Sequence, residues 1–218
     1  MYCPHVPPIS PASTELPRGR PRDPSRDAAI TDAAIELLIQ TGYDRLTIEG
    51  VAAEAGVGKA TVYRRWASKA ELVIDAMATL KPVGGTIDTG SLDEDIEQMA
   101  ALSCSPQSQR LLQVMASVCS ALSREPDLLE AFRTRFTEPR IARLTEILER
   151  ARRRGELDPH IDVAMAASLL PSLMLHRALT TGRPAGRAYA EQIVTTVLRP
   201  VLGLPARPST PHPKDTDD

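Results

Sequence analysis

Apolar residues recur along most of this chain at helical spacing. Ile30, Ala33, Ala34, Leu37 and Leu38 fall at i, i+3, i+4, i+7 and i+8, which predicts a helix with one buried stripe, ended by Gly42. Ile48, Val51, Ala52 and Ala55 form a much shorter stripe, with Thr47 positioned to cap its start and Gly56 just past its end. Beyond the Gly56-Val57-Gly58 break, Val62 and Trp66 lie one turn apart on a third short helix. Ser68-Lys69-Ala70-Glu71 then reads as a capping box opening a fourth, through Leu72, Val73, Ala76, Met77 and Leu80.

Residues 82–91 are rich in Gly and Thr and predict a boundary between a unit over 24–84 and a larger one over 91–203. A short helix is expected from Leu92 to Leu102, followed by Leu111, Leu112, Met115, Val118, Cys119 and Leu122 at strict helical spacing. A longer amphipathic segment from Asp127 to Arg154 contains Pro139, which must kink or split it. The run IDVAMAASLLPSLML, from Ile161, is apolar nearly all the way round and has to be covered on more than one side. A last helix, about Ala185 to Leu202, carries a stripe wider than one small core needs. Pro-rich stretches over 1–17 and 204–218 predict disordered tails.

Composition sharpens the fold class. Of 218 residues 42% are apolar but only 3% aromatic, so the core is built from Ala, Leu, Val and Ile, which favours an all-α protein. A formal net charge of -2 means that any nucleic-acid site must be a local concentration of positive charge. Cys3, Cys104 and Cys119 form no C-x-x-C pair, and the N-terminus has no signal-peptide pattern, which predicts a reduced, cytoplasmic protein. The apolar runs read as too short to cross a membrane. His5, His160, His176 and His212 are scattered without partners at ligand spacing, so neither a metal nor a cofactor is expected.

The stretch AGVGKATVYRRWASKAEL, from Ala55, superficially resembles a phosphate-binding loop. It departs at both ends of that motif, with Ala53 in place of the first glycine and Ala60 in place of the hydroxyl residue, and no strand precedes it. Two short helices about a glycine turn, braced by longer helices, are instead the parts of a helix-turn-helix reader. With Val62 and Trp66 directed inward, Ala60, Thr61 and Arg64 fall on the opposite face, where an arginine can pair with guanine and a threonine can meet a thymine methyl. Lys59, Tyr63 and Arg65 flank that face at phosphate height. The competing reading is an ordinary solvated, positively charged helix face.

Residues 24–84, and above all TIEGVAAEAGVGKATVYRRW from Thr47 followed by Lys69 and Leu72, closely resemble the DNA-binding domain of TetR-family transcriptional regulators. The resemblance implies a homodimer, usually a repressor, that leaves a palindromic operator when a small molecule occupies the C-terminal domain. It implies Thr47, Tyr63 and Lys69 as phosphate contacts and Lys59, Ala60, Thr61 and Arg64 as the groove-facing set. Trp66 stands at a buried position more often Phe, and Gly58 departs from the commoner Ser, so one capping hydroxyl is missing. Gly50 is either tolerated on its exposed helix face or required for close approach to phosphate. Arg18-Gly-Arg-Pro-Arg22 reads as a minor-groove arm over 18–23 carrying Arg20 and Arg22, or as a plain basic tail.

In the second unit Met99, Met115, Cys119, Phe132, Phe136 and Met174 fall on inward stripes and are candidates for an adaptable pocket, against simple core packing. His176 and Arg177 interrupt an apolar helix, so one is a candidate anchor for a largely apolar ligand and the other serves the dimer or solvent. The two last helices are expected to pair with their copies as a four-helix bundle through Ala167, Leu170, Val194, Val197, Leu198 and Val201. The alternatives are a constitutive dimeric DNA binder without effector, and a helical enzyme. No nucleophile, base and orienter assemble for the latter, so no enzymatic activity is expected.

Overall fold

A computed structural model describes residues 24–102, 107–183 and 186–206, and among these every regular element is helical. Arg20, Arg22, the rest of the basic arm, Cys3, Cys104 and the chain beyond residue 206 lie outside the described residues. The helices are α1 (Pro24–Thr41), α2 (Ile48–Glu54), α3 (Lys59–Tyr63), α4 (Lys69–Leu80), α5 (Leu92–Leu102), α6 (Ser108–Leu122) and α7 (Pro126–Ala131). They continue with α8 (Glu138–Arg154), α9 (Val163–Thr181), α10 (Arg187–Ile193) and α11 (Arg199–Val201).

Local signals account for most boundaries. Thr47 caps α2 by accepting from the Gly50 N–H at 3.1 Å. Ser68 caps α4 by accepting from the Glu71 N–H, while the Glu71 carboxylate reaches back to the Ala67 N–H, one residue earlier than a standard capping box. Between α2 and α3 the chain turns at Gly56, whose φ of 65° is left-handed, and Val57 N–H closes the turn on the Ala52 carbonyl.

The expected break at Pro139 is a widening of the helix rather than a split. A π-helical segment, Phe132–Thr137, joins α7 to α8 just before Pro139, and a second, Val194–Leu198, joins α10 to α11 just before Pro200. Proline lacks an N–H and its ring crowds the carbonyl one turn earlier, and a local shift to wider pairing accommodates both defects.

Buried side chains form two clusters that divide differently from the chain. The first joins α1 to α4 with Val114, Met115 and Val118 of α6 and Leu128 of α7, so the N-terminal head is packed directly onto the second unit. The second cluster is built from α5, α8, α9 and α10 together with Ile87 and Leu157. Arg199, 1% exposed, ties the C-terminal end to α5: it pairs with Asp93 and donates from Nε and Nη2 to the Pro205 carbonyl at 2.9 and 2.7 Å. Leu204 also packs against this cluster, so Leu204 and Pro205 of the expected tail are held in place.

By length and composition alone α9 is long and apolar enough to cross a membrane, a test that core helices also pass. One of its faces is in the core, with Val163, Ala166, Ala167, Leu170 and Met174 buried.

Candidate DNA interface and ligand cavity

The head presents α3 with Val62 fully buried and Trp66 6% exposed, which turns Lys59, Ala60, Tyr63 and Arg64 to solvent and leaves Thr61 half-buried beside them. The Trp66 indole N–H donates to Asp75 Oδ2 of α4 at 2.9 Å, fixing the end of α3 on the longer helix. Gly58 is the N-cap of α3 with φ −74° and contributes no side-chain hydrogen bond. Lys59 reaches over the Tyr63 ring, 5.4 Å from its centre, and pairs with Glu49 of α2. The hydrogen bond between them holds the Glu49 carboxyl below the usual range and the Lys59 ammonium above it. Lys59 is therefore already paired with an acidic residue of α2.

Two expected phosphate contacts are turned inward. Arg65 pairs with Asp27 at the start of α1 and donates to the Thr61 carbonyl at 3.4 Å, so its charge braces the head. Lys69 is half-buried, donates from Nζ to the Tyr43 carbonyl at 3.0 Å and lies 4.1 Å from the centre of the Tyr43 ring. Its ammonium fastens the loop between α1 and α2. Gly50 answers its own question in a third way: a Cβ there would lie 3.2 Å from Thr47 Oγ1, so the glycine makes room for the α2 cap.

The second unit holds a cavity of about 140 Å³ between α6, the π segment, α8 and α9. Of the residues singled out from sequence, Met115, Phe132, Phe136 and Met174 line it. Met99 lines a smaller adjoining cavity of about 50 Å³, which shares Met174 with the first. Phe132 and Phe136 stack with ring centres 5.3 Å apart.

Cys119, His176 and Arg177 lie off both cavities. Cys119 is half-buried against the head cluster, and burial pushes its thiol up. His176 is exposed, and Arg177 stacks on Tyr189 of α10 at 4.4 Å. Among the polar residues that do line the cavity is Arg140, whose guanidinium sits 3.7 Å from the centre of the Phe136 ring. Its signal was present in the sequence, since Arg140 continues the i, i+4 series of Phe132 and Phe136 and thus places a charge on an apolar stripe.

The proposed pairing face needs correction as well. Ala167, Leu170, Val194 and Leu198 are 0 to 2% exposed inside the protomer, and Val197 packs half-buried against the same cluster. Only Val201, at 45%, is open to solvent. The uncovered side of α9 instead carries Met165, 62% exposed, Ser172, His176 and Leu179. A helix apolar nearly all round offers periodicity no means of choosing which side meets its own core.

A glycine-turned helix pair displaying small and basic residues, fused to a helical unit with an apolar cavity, defines a helix-turn-helix transcriptional regulator. Residues 30–76 match the family described as bacterial regulatory proteins, tetR family, and residues 86–197 match the tetracyclin repressor-like C-terminal domain. The chain is 32% identical to the HTH-type transcriptional regulator YdeS of Bacillus subtilis over 88% of its length and 98% of that protein's. It is 30% identical to the DNA-binding transcriptional repressor TetR of Mycobacteroides abscessus, covering 85% of this chain and 98% of that protein. The crystal structure of the TetR family transcription regulator SCO0332 superposes with a TM-score of 0.59 at 28% identity, over 80% of this chain and 97% of the other. The chain belongs to the TetR family of DNA-binding transcriptional regulators, which are generally repressors rather than enzymes.

Proposed function

We propose that this protein is a homodimeric repressor that binds a palindromic operator and is released when a small molecule enters the cavity behind Phe132 and Phe136. The observation carrying this reading is the double-sided π segment. One side lines the cavity with Phe132 and Phe136, and on the other Arg135 pairs with Glu71 and Asp75 of α4 at 2.8 and 3.0 Å. Asp75 is also the acceptor of the Trp66 indole, so a displacement of the segment is transmitted to the end of α3. A ligand that favours one placement of the segment then shifts the spacing of two α3 helices from the roughly 34 to 36 Å that successive grooves demand.

In the DNA-bound form Ala60 permits close approach, Thr61 and Arg64 read bases, and Thr47, Lys59 and Tyr63 meet phosphates. The test is footprinting on the intergenic DNA beside the coding region, followed by titration of variants on the protected repeat. Arg64→Ala is expected to cost about 1 to 3 kcal/mol and to relax preference at one base pair per half-site. Tyr63→Phe weakens binding to all sequences alike. Unchanged affinity and selectivity in Arg64→Ala would remove α3 from the groove.

A further inference from the structure

The charged groups on the cavity walls point beyond a merely apolar effector. Lys81, Thr137, Arg140 and Ser172 are the polar residues lining the larger cavity, and Lys81, Arg140 and Arg143 those lining the smaller. Among the described residues, no Asp, Glu or His lines either one. Arg140 donates to the main-chain oxygens of Phe136 and Lys81, and no carboxylate among the described residues pairs with it. Burial draws its pKa down to about 10, which still leaves it charged near neutral pH. Arg143, one turn further along α8, has Nε and Nη2 buried without a hydrogen-bond partner among the described residues. Its head lies against Gly84, where a Cβ would approach Nη1 to 2.8 Å.

Arg150 and Arg152 of the same helix also each bury Nε without a hydrogen bond, so the contrast with the rest of α8 lies in acidic partners. Arg150 pairs with Asp88, Arg152 with Glu149, and Arg154 with Glu156 and Asp95. Among the described residues, only at the cavity does the helix bury guanidinium groups without acidic partners, an arrangement that is costly unless something else supplies the negative charge.

We infer that the effector is an amphipathic anion, with an aliphatic or aromatic body between Met115, Phe132 and Leu175 and a carboxylate received by Arg140 and Arg143. The inference rests on the reading of this cavity as the effector site. Guanidinium and carboxylate match in geometry and form charge-assisted pairs, and the aromatic stack continues the apolar path of the body. Because Arg140 also donates to the carbonyl of Lys81, which follows the last residue of α4, the incoming carboxylate competes for a donor that holds the end of that helix.

Calorimetric titration of the full chain with straight-chain carboxylates from hexanoate to dodecanoate and with phenylbutanoate, each beside its primary amide, tests the inference. At least one carboxylate should bind about ten-fold or more tightly than its amide, the scale expected of a charge-assisted pair. Arg143→Met should abolish that preference while leaving amide binding within about two-fold, and the variant should melt no lower than the parent because it removes an unpaired buried charge. Gly84→Ala, which displaces the Arg143 head, should weaken the carboxylate selectively.

Equal binding of amide and carboxylate, no binding by any carboxylate, or a preference that survives Arg143→Met overturns the anionic assignment. The effector reading fails separately: it falls if the bound carboxylate leaves affinity for the footprinted DNA unchanged.

Discussion

Gly50 and Thr47 show how far a single position depends on its neighbour. An exposed glycine inside a helix costs about 1 kcal/mol relative to alanine, so Gly50→Ala would ordinarily stabilise α2. Here the added Cβ meets Thr47 Oγ1 at 3.2 Å, and the hydroxyl must shift from the N–H it caps, an interaction of about 1 kcal/mol in its own right. Urea unfolding should therefore find Gly50→Ala nearly neutral in the parent and stabilising by about 1 kcal/mol when Thr47 is already Ala. Equal gains in both backgrounds would mean that the two side chains do not compete. Thr47, Ser68 and Glu71 were readable because a cap and its target lie within one turn. Arg65 and Lys69 were not, because their partners Asp27 and Tyr43 lie on another helix and a distant loop.

Among elements, α4 is the piece on which the others converge. Ala70, Leu72, Val73, Ile74, Ala76 and Met77 bury one side of it, while Glu71 and Asp75 face Arg135. The two links of Asp75 differ in kind. Arg135 and Asp75 are each more than a third exposed, so their ion pair contributes under about 1 kcal/mol. Trp66 is buried, and removing the acceptor of its indole N–H leaves a desolvated donor at a cost of about 1 to 3 kcal/mol. Asp75→Ala should accordingly destabilise more than Arg135→Ala in urea unfolding followed by the fluorescence of Trp66, with Asp75→Asn intermediate. If Arg135→Ala were the costlier change, the ion pair and not the indole would hold this joint. Pro139 was legible as a point of stress, but whether a helix breaks or widens there depends on the side chains packed on both sides of it.

For the whole molecule, the open question raised by the fold is what covers the outer side of α9. Met165 and Leu179 are exposed at 62 and 46% on the face opposite the core, and Val201 of α11 at 45%. A two-fold contact through this side of α9 and the C-terminal helices is the arrangement proposed for the dimer. Met165→Glu should then yield folded monomers by sedimentation, because the side chain already tolerates solvent in the protomer. Ala167→Arg, in contrast, should unfold the protein, since Ala167 is fully buried in the second cluster. A dimer persisting in Met165→Glu would move the interface off this side of α9.

The linear order of residues determined the all-helical class, the helix-turn-helix with its caps and glycine turn, and the apolar stripes that supply Met115, Phe132, Phe136 and Met174 to the cavity. These follow from interactions within one or two turns of helix, which spacing records directly. Tertiary structure alone decided that α6 and α7 belong to the core of the head, that Arg65 and Lys69 point inward, and which side of α9 is buried. It alone set Arg140 and Arg143 on the cavity walls, without acidic partners among the described residues. Each of these depends on which distant surfaces meet, and a charge is costly or harmless according to neighbours that its own segment does not contain.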